Sequence, residues 1–217
     1  MITKIQLQKE ASVLADDGKR VGTLERVVVN PVNNVITDIV VRTGGLLNQE
    51  EKVVPVELID ETAADKILLH EKAGDLEGFP PFEERRLISE HGVRGQDAAS
   101  GVKPPMGSMP VVGAPMAPVP NEQIVTRIEQ NIPEGTVAMK VGAKVTSADQ
   151  KHIGNVDCVV AEPFMDQITH LQVSKGLLMK ETSLIPVRWV LRMGEDKVYL
   201  RVSKDSIAEV TEPPMAG

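Results

Sequence analysis

Residues 17–59 read DGKRVGTLERVVVNPVNNVITDIVVRTGGLLNQEEKVVPVELI, and residues 149–190 read DQKHIGNVDCVVAEPFMDQITHLQVSKGLLMKETSLIPVRWV. Sliding one copy by 132 positions brings Val13 onto Val145, Asp17 onto Asp149, Gly22 onto Gly154, Pro31 onto Pro163 and Ile36-Thr37 onto Ile168-Thr169. After one deletion the offset becomes 131, and Pro55-Val56 meets Pro186-Val187. The shared positions include Gly and Pro, the residues whose backbone demands are most particular. A spacing this long is not that of a solenoid, whose repeats run about 20–50 residues. Each copy is the size of a small domain.

Within a copy, short apolar runs rich in β-branched residues alternate with turn signals. In the first copy these runs are 11–14, 21–29, 35–42, 52–56 and 64–70. Asp16-Asp17-Gly18-Lys19 and Asn30-Pro31-Val32-Asn33-Asn34 punctuate them. Such spacing predicts an antiparallel barrel or sandwich. Pro55 places its strand at an edge or a bulge, because proline cannot donate within a sheet. In the second copy Gln150 stands where the first has Gly18, so a turn needing positive φ would there have to change type. The expected organisation is a first β domain over 1–79, an arm and linker over 80–132, a second β domain over 133–210, and a disordered tail over 211–217. The arm, 82–89, reads as a short helix or an extended segment. Residues 104–120 hold six Pro, three Met, two Gly and no charge, a tether composition. About 40 linker residues would reach roughly 35 Å, enough for the copies to dock or to separate.

The quoted residues carry a resemblance. The polar turn followed by Gly22 or Gly154, the ITDIVV and ITHLQV strands, the GLL connections and the VVP and LIP strands are similar to PRC-barrel domains. The chain resembles the tandem, free-standing bacterial and archaeal members of that family. The resemblance implies an all-β protein, with two small six-stranded barrels joined by the Pro/Met/Gly-rich linker. Relatives of this kind include the barrel of the photosynthetic reaction-centre H subunit and that of a ribosome maturation factor. It also implies a theme of protein binding and assembly, and the settings open to such a module are stress response, membrane-complex assembly and electron-transfer assembly. Fold alone does not assign a function.

Composition narrows the classes. Aromatic residues make up 2% of the chain, too few for base stacking on single-stranded nucleic acid. Residues 1–90 carry 11 Lys/Arg against 17 Asp/Glu, and residues 133–217 carry ten against 11. That balance disfavours polyanions and anionic lipid. No apolar run is long enough to span a bilayer, and the N-terminus lacks a signal-peptide core. A single cysteine, Cys158, excludes intramolecular disulfides. The expected location is cytoplasmic, with neither nucleic-acid partners nor direct membrane insertion.

No catalytic constellation is legible. His70, His91, His152 and His170 share no ligand-type spacing, and phosphate-loop and nucleophile-elbow motifs are missing from the sequence. Cys158 falls opposite Arg26 of the first copy, a match that predicts partial exposure and an ordinary thiol. The expectation is a non-enzymatic protein without cofactor or metal. Large apolar residues in a connection expected to be polar mark Leu46, Leu47, Leu177, Leu178 and Met179 as candidate contacts, either with a protein partner or between the barrels. The expected function is a protein-binding or assembly module whose barrels dock on each other or on a partner. The alternative is a small-ligand or ion-binding module with its site between the barrels.

Overall fold

The computed structural model describes residues 5–45, 48–63, 65–89, 124–162, 165–176 and 181–211. The first copy contributes β1 (Ile5–Gln8), β2 (Ser12–Leu14), β3 (Arg20–Asn30), β4 (Val35–Gly44), β5 (Gln49–Pro55), β6 (Ile59–Ala63) and β7 (Lys66–Leu69). After β8 (Glu83–Ser89) and β9 (Ile124–Gln130), the second copy contributes β10 (Val137–Lys140), β11 (Lys144–Thr146), β12 (His152–Ala161), β13 (Ile168–Lys175), β14 (Glu181–Pro186), β15 (Val190–Met193) and β16 (Lys197–Leu200). One α-helix, α1 (Lys204–Thr211), follows. The described chain is thus all-β apart from that helix and three short 3-10 turns, as the repeat predicts. Among the described residues no helix is long and apolar enough to cross a membrane.

Each copy builds one sheet, in the order β5-β4-β3-β2-β7-β6 or its counterpart β14-β13-β12-β11-β16-β15. Two features depart from the expected closed antiparallel barrel. Among the described residues the hydrogen-bonded path does not return from its last strand to its first. Moreover, β2 runs parallel to β7, and β11 parallel to β16. β5 and β14 end their sheets, which is where Pro55 and Pro186 cost no ladder bond.

The first strands change places. β1 pairs antiparallel with β12 of the second copy, in the register Leu7↔Val159. β10 pairs with β3 of the first copy, in the register Met139↔Val27. The two registers are the same once 132 is added, so the exchange follows an internal two-fold relation. Only residues 9–11 and 141–143 connect each exchanged strand to β2 or β11 of its own sheet. Three residues span at most about 10 Å, so the crossovers tie the sheets side by side. At those crossovers Lys9 N–H donates to Asp157 O over 2.8 Å, and Val141 N–H donates to Glu25 O over 3.1 Å. Leu7, Val27, Met139 and Val159 are all fully buried in a single apolar cluster drawn from both copies. Four-residue strands such as IQLQ are too short for a periodicity signal, and their partners lie in the other copy, so sequence reading misses them.

The repeated glycines have a shared cause. A Cβ on Gly154 would lie 2.5 Å from Ser174 O, and one on Gly22 would lie 2.7 Å from Arg42 O. Both positions need glycine because the neighbouring strand approaches too closely for a side chain. The turn at Gln150 does not change type, contrary to the sequence expectation. Gln150 adopts φ 59°, and Gly18 adopts φ 80°. The second copy therefore keeps the left-handed turn at a conformational cost of about 1–2 kcal/mol. The arm takes the extended alternative: β8 pairs with β9 in a two-stranded sheet of its own, within a separate unit spanning 84–129.

Because Leu7 belongs to the first copy but packs on the second, Leu7→Ala should destabilise both copies together, by about 2–5 kcal/mol. Calorimetry should show one transition moved to lower temperature. Splitting into a shifted and an unshifted transition would contradict the exchange.

Candidate functional site at the seam between the copies

The predicted contact residues Leu46, Leu47, Leu177, Leu178 and Met179 lie outside the described residues. Their described neighbours Gly44 and Gly176 have φ 86° and 97°, a left-handed geometry suited to glycine.

The seam forms where the turns after β3 and β12 meet. Val35 and Gln167, equivalent in the two copies, bridge each other directly, which places the internal axis between them. Ile36 N–H donates to Asp166 O over 2.9 Å, and Ile168 N–H donates to Asn34 O over 2.8 Å. Gln167 Nε2 donates to Asn33 O over 3.0 Å. Asn30 and Asn33 shape the first turn by accepting the Val32 and Val35 amides. Val32 is 90% exposed at one turn tip and Met165 is 62% exposed at the other. Sequence reading overlooked this pair. Its available signal was an apolar residue inside an otherwise polar turn.

Beside Asp166 a small cleft of about 180 Å³ opens between the copies. Ile5, Val56 and Ile59 contribute apolar walls, and Glu57, Asp60, Glu61 and Asp166 give it an acidic lining. Ligand pockets usually run about 300–1,000 Å³, so the cleft suits a side chain or an ion better than a metabolite. Burial, reinforced by Glu57, raises the Asp166 carboxyl above its ordinary range. Asp38 is also raised, chiefly by burial, with Thr37 opposing the shift and Glu57 adding to it. Asp38 Oδ2 is buried without a hydrogen-bond partner among the described residues. Among those residues no cluster of three or more His, Cys, Asp or Glu is arranged to hold a metal ion.

The equivalent edge of the second copy carries the opposite charge. Arg188 replaces Glu57, Leu191 replaces Asp60, and Arg192 replaces Glu61, while Asn34 takes the place of Asp166. Leu191 is 66% exposed, and the Arg192 guanidinium lies 4.8 Å from the Tyr199 ring centroid. One backbone plan thus presents an acidic edge and a basic, apolar edge.

Arg26 and Cys158 are both buried, at 8% and 5% exposure, which corrects the expected partial exposure. Phe82 covers Arg26, its ring centroid 4.7 Å from the guanidinium carbon. Glu51 lies 3.3 Å from Arg26 Nε, and Glu195 lies 3.6 Å from its NH1. Cover and counter-charge together let an arginine occupy an interior position. Burial, with Asp157 adding, pushes the Cys158 thiol up to about 11, which leaves little thiolate at neutral pH. In the turn of the second copy, Asp149 accepts the Lys204 amide at the start of α1 and pairs with Lys151 at 3.0 Å. Its carboxyl is held well below the ordinary range, chiefly by hydrogen bonds from Ser147 and Lys151. An open groove of about 750 Å³, flanked by Lys144, His152 and Lys197, lies wholly within the second copy. His152 is exposed and His170 half-buried.

The raised Asp38 carboxyl gives a pH prediction. A folded pKa above the unfolded value means that folding favours the protonated acid. Stability is then greatest below the ordinary value of 3.8 and falls as pH rises through the raised value. Asp38→Asn should therefore stabilise the protein at pH 7, and the gain should vanish near pH 3 in chemical denaturation. An equal effect at both pH values would contradict the assignment.

Residues 9–76 match the family model described as PRC-barrel domain. The matched stretch is the first copy without β1, the strand that it lends to the second. A search of the curated proteins finds no match.

Proposed function

We propose that the protein is a non-enzymatic, cytoplasmic assembly module built from two PRC-type copies, and that it associates through the seam. In this reading the acidic edge of one molecule receives the Arg188, Leu191 and Arg192 edge of a second. The observation that carries it is the reversal of charge at equivalent positions. The two edges are related by the internal axis, so a molecule engaged at one keeps the other free. Such a contact is heterologous and propagates head to tail. Val32 and Met165 supply exposed apolar surface at the same seam. An arriving guanidinium would also relieve the repulsion between Glu57 and Asp166. Each exposed ion pair contributes only about 0–1 kcal/mol, so the association is weak, dependent on concentration and sensitive to salt. The same acidity at the seam disfavours nucleic acid.

Sedimentation velocity tests the proposal. The native chain should associate at low salt and dissociate at high salt. Glu57→Arg/Glu61→Arg makes both edges basic, and Arg188→Glu/Arg192→Glu makes both acidic. Each variant alone should remain monomeric, and an equimolar mixture should associate again. A native chain that is monomeric throughout, or variants that assemble like it, would refute the proposal.

A further inference from the structure

The groove within the second copy has a lining that the first copy does not share. Alternation along β11 and β16 buries Val145 and Val198 and leaves Lys144, Thr146, Lys197 and Tyr199 on the outer face. The two strands run parallel, with Lys144 directly beside Lys197 and Thr146 directly beside Tyr199. The second of these rows continues to His152 on β12 and to Arg192 on β15. Leu191, 66% exposed, adds an apolar wall.

Like charges at directly opposed positions repel each other. Among the described residues neither Lys144 nor Lys197 forms an ion pair. Asp196, next to Lys197 in sequence, is engaged by Lys140 at 2.7 Å, and Asp149 is engaged by Lys151 at 3.0 Å. The Asp196 carboxyl is held low chiefly by Lys140, with Lys197 adding less. In the first copy the equivalent pairs are Ser12 with Lys66 and Leu14 with Leu68, and Asp60 stands in place of Leu191. Arg20, the counterpart of His152, is tied to Thr23 Oγ1 over 2.7 Å. The second copy thus sets two ammonium groups side by side where the first has one, and a leucine where the first has an acid.

We infer that this groove binds a small organic phosphate, a phosphate monoester bearing a flat ring, with its oxyanion between Lys144 and Lys197 and its ring against Leu191 and Tyr199. At neutral pH such a phosphate carries about two negative charges, which matches the paired ammonium groups. Lysine binds phosphate as a point charge and needs no bidentate geometry. The Thr146 and Tyr199 hydroxyls can donate to the remaining oxygens. Arg192, 4.8 Å from the Tyr199 ring centroid, steadies that ring and adds a further positive charge. The groove's volume, about 750 Å³, falls within the usual range of ligand pockets, about 300–1,000 Å³. Its cations are confined to one groove on a chain of net charge −7, so it suits a small ligand and not a nucleic acid.

Titration of the full chain with phenyl phosphate, followed by amide NMR shifts, tests this. It is made at a protein concentration where the chain sediments as a monomer, so the result does not depend on head-to-tail association through Leu191. The expected result is saturable shifts of the β11 and β16 amides, with those of β2 and β7 unmoved. Lys144→Gln/Lys197→Gln should weaken binding by about tenfold or more. Its melting temperature should stay the same or rise, because both side chains are exposed and repel each other. Lys66→Gln, which removes the equivalent charge from the first copy, should leave binding unchanged. Inorganic phosphate should shift the same amides but bind about tenfold more weakly, since it lacks the ring. Shifts that fail to saturate, binding retained in the double lysine variant, or inorganic phosphate binding as tightly as phenyl phosphate would each overturn the inference.

Discussion

Reciprocal pairing of β1 with β12 and of β10 with β3 is the constraint on which the rest of this molecule depends. Each central strand is longer than either partner on that side. Residues 20–23 of β3 take β2 from their own copy, and residues 26–29 take β10 from the other. The register shift between Leu24 and Arg26 separates the two pairings, and the shift between Val156 and Cys158 repeats it. A copy of about 70 residues has a marginal core by itself. Fusing the cores through exchanged strands places Leu7 and Met139 in one apolar cluster. Crossovers of three residues leave the sheets no freedom to drift apart.

With the interior shared, the copies differ mainly on their outer surfaces. The glycines that admit a neighbouring strand are the same in both, and so is the left-handed turn at Gly18 and Gln150. The edges and faces are not. Glu57 and Glu61 stand against Arg188 and Arg192, while a buried arginine under Phe82 stands against a buried thiol. Two surfaces of opposite character on one rigid plan suit a protein that works by contact. The PRC-barrel match over the first copy is consistent with that plan.

Much of the fold was legible from residue pattern. Strand runs rich in valine and isoleucine, Asn- and Gly-containing turns and the edge prolines all report local backbone preference, which needs no knowledge of partners. The exchange was not legible, because IQLQ and VAMK are too short to signal a strand and pair with residues more than 100 positions away. Burial of Arg26 was missed for a related reason: its cover, Phe82, comes from the arm, and Glu195 comes from the other copy. At the seam the residue types were visible, but the proximity of Glu57 to Asp166 exists only after the turns meet. The leucine connections singled out from sequence lie outside the described residues. The seam therefore rests on other side chains.

Native-state hydrogen exchange measured against denaturant addresses the exchange most directly. The amides of β1 and β10 should open only with global unfolding, at the same free energy as those of β3 and β12. Opening of β1 or β10 at a much lower free energy, with the central strands still protected, would show that the exchanged strands are appendages and would contradict the account.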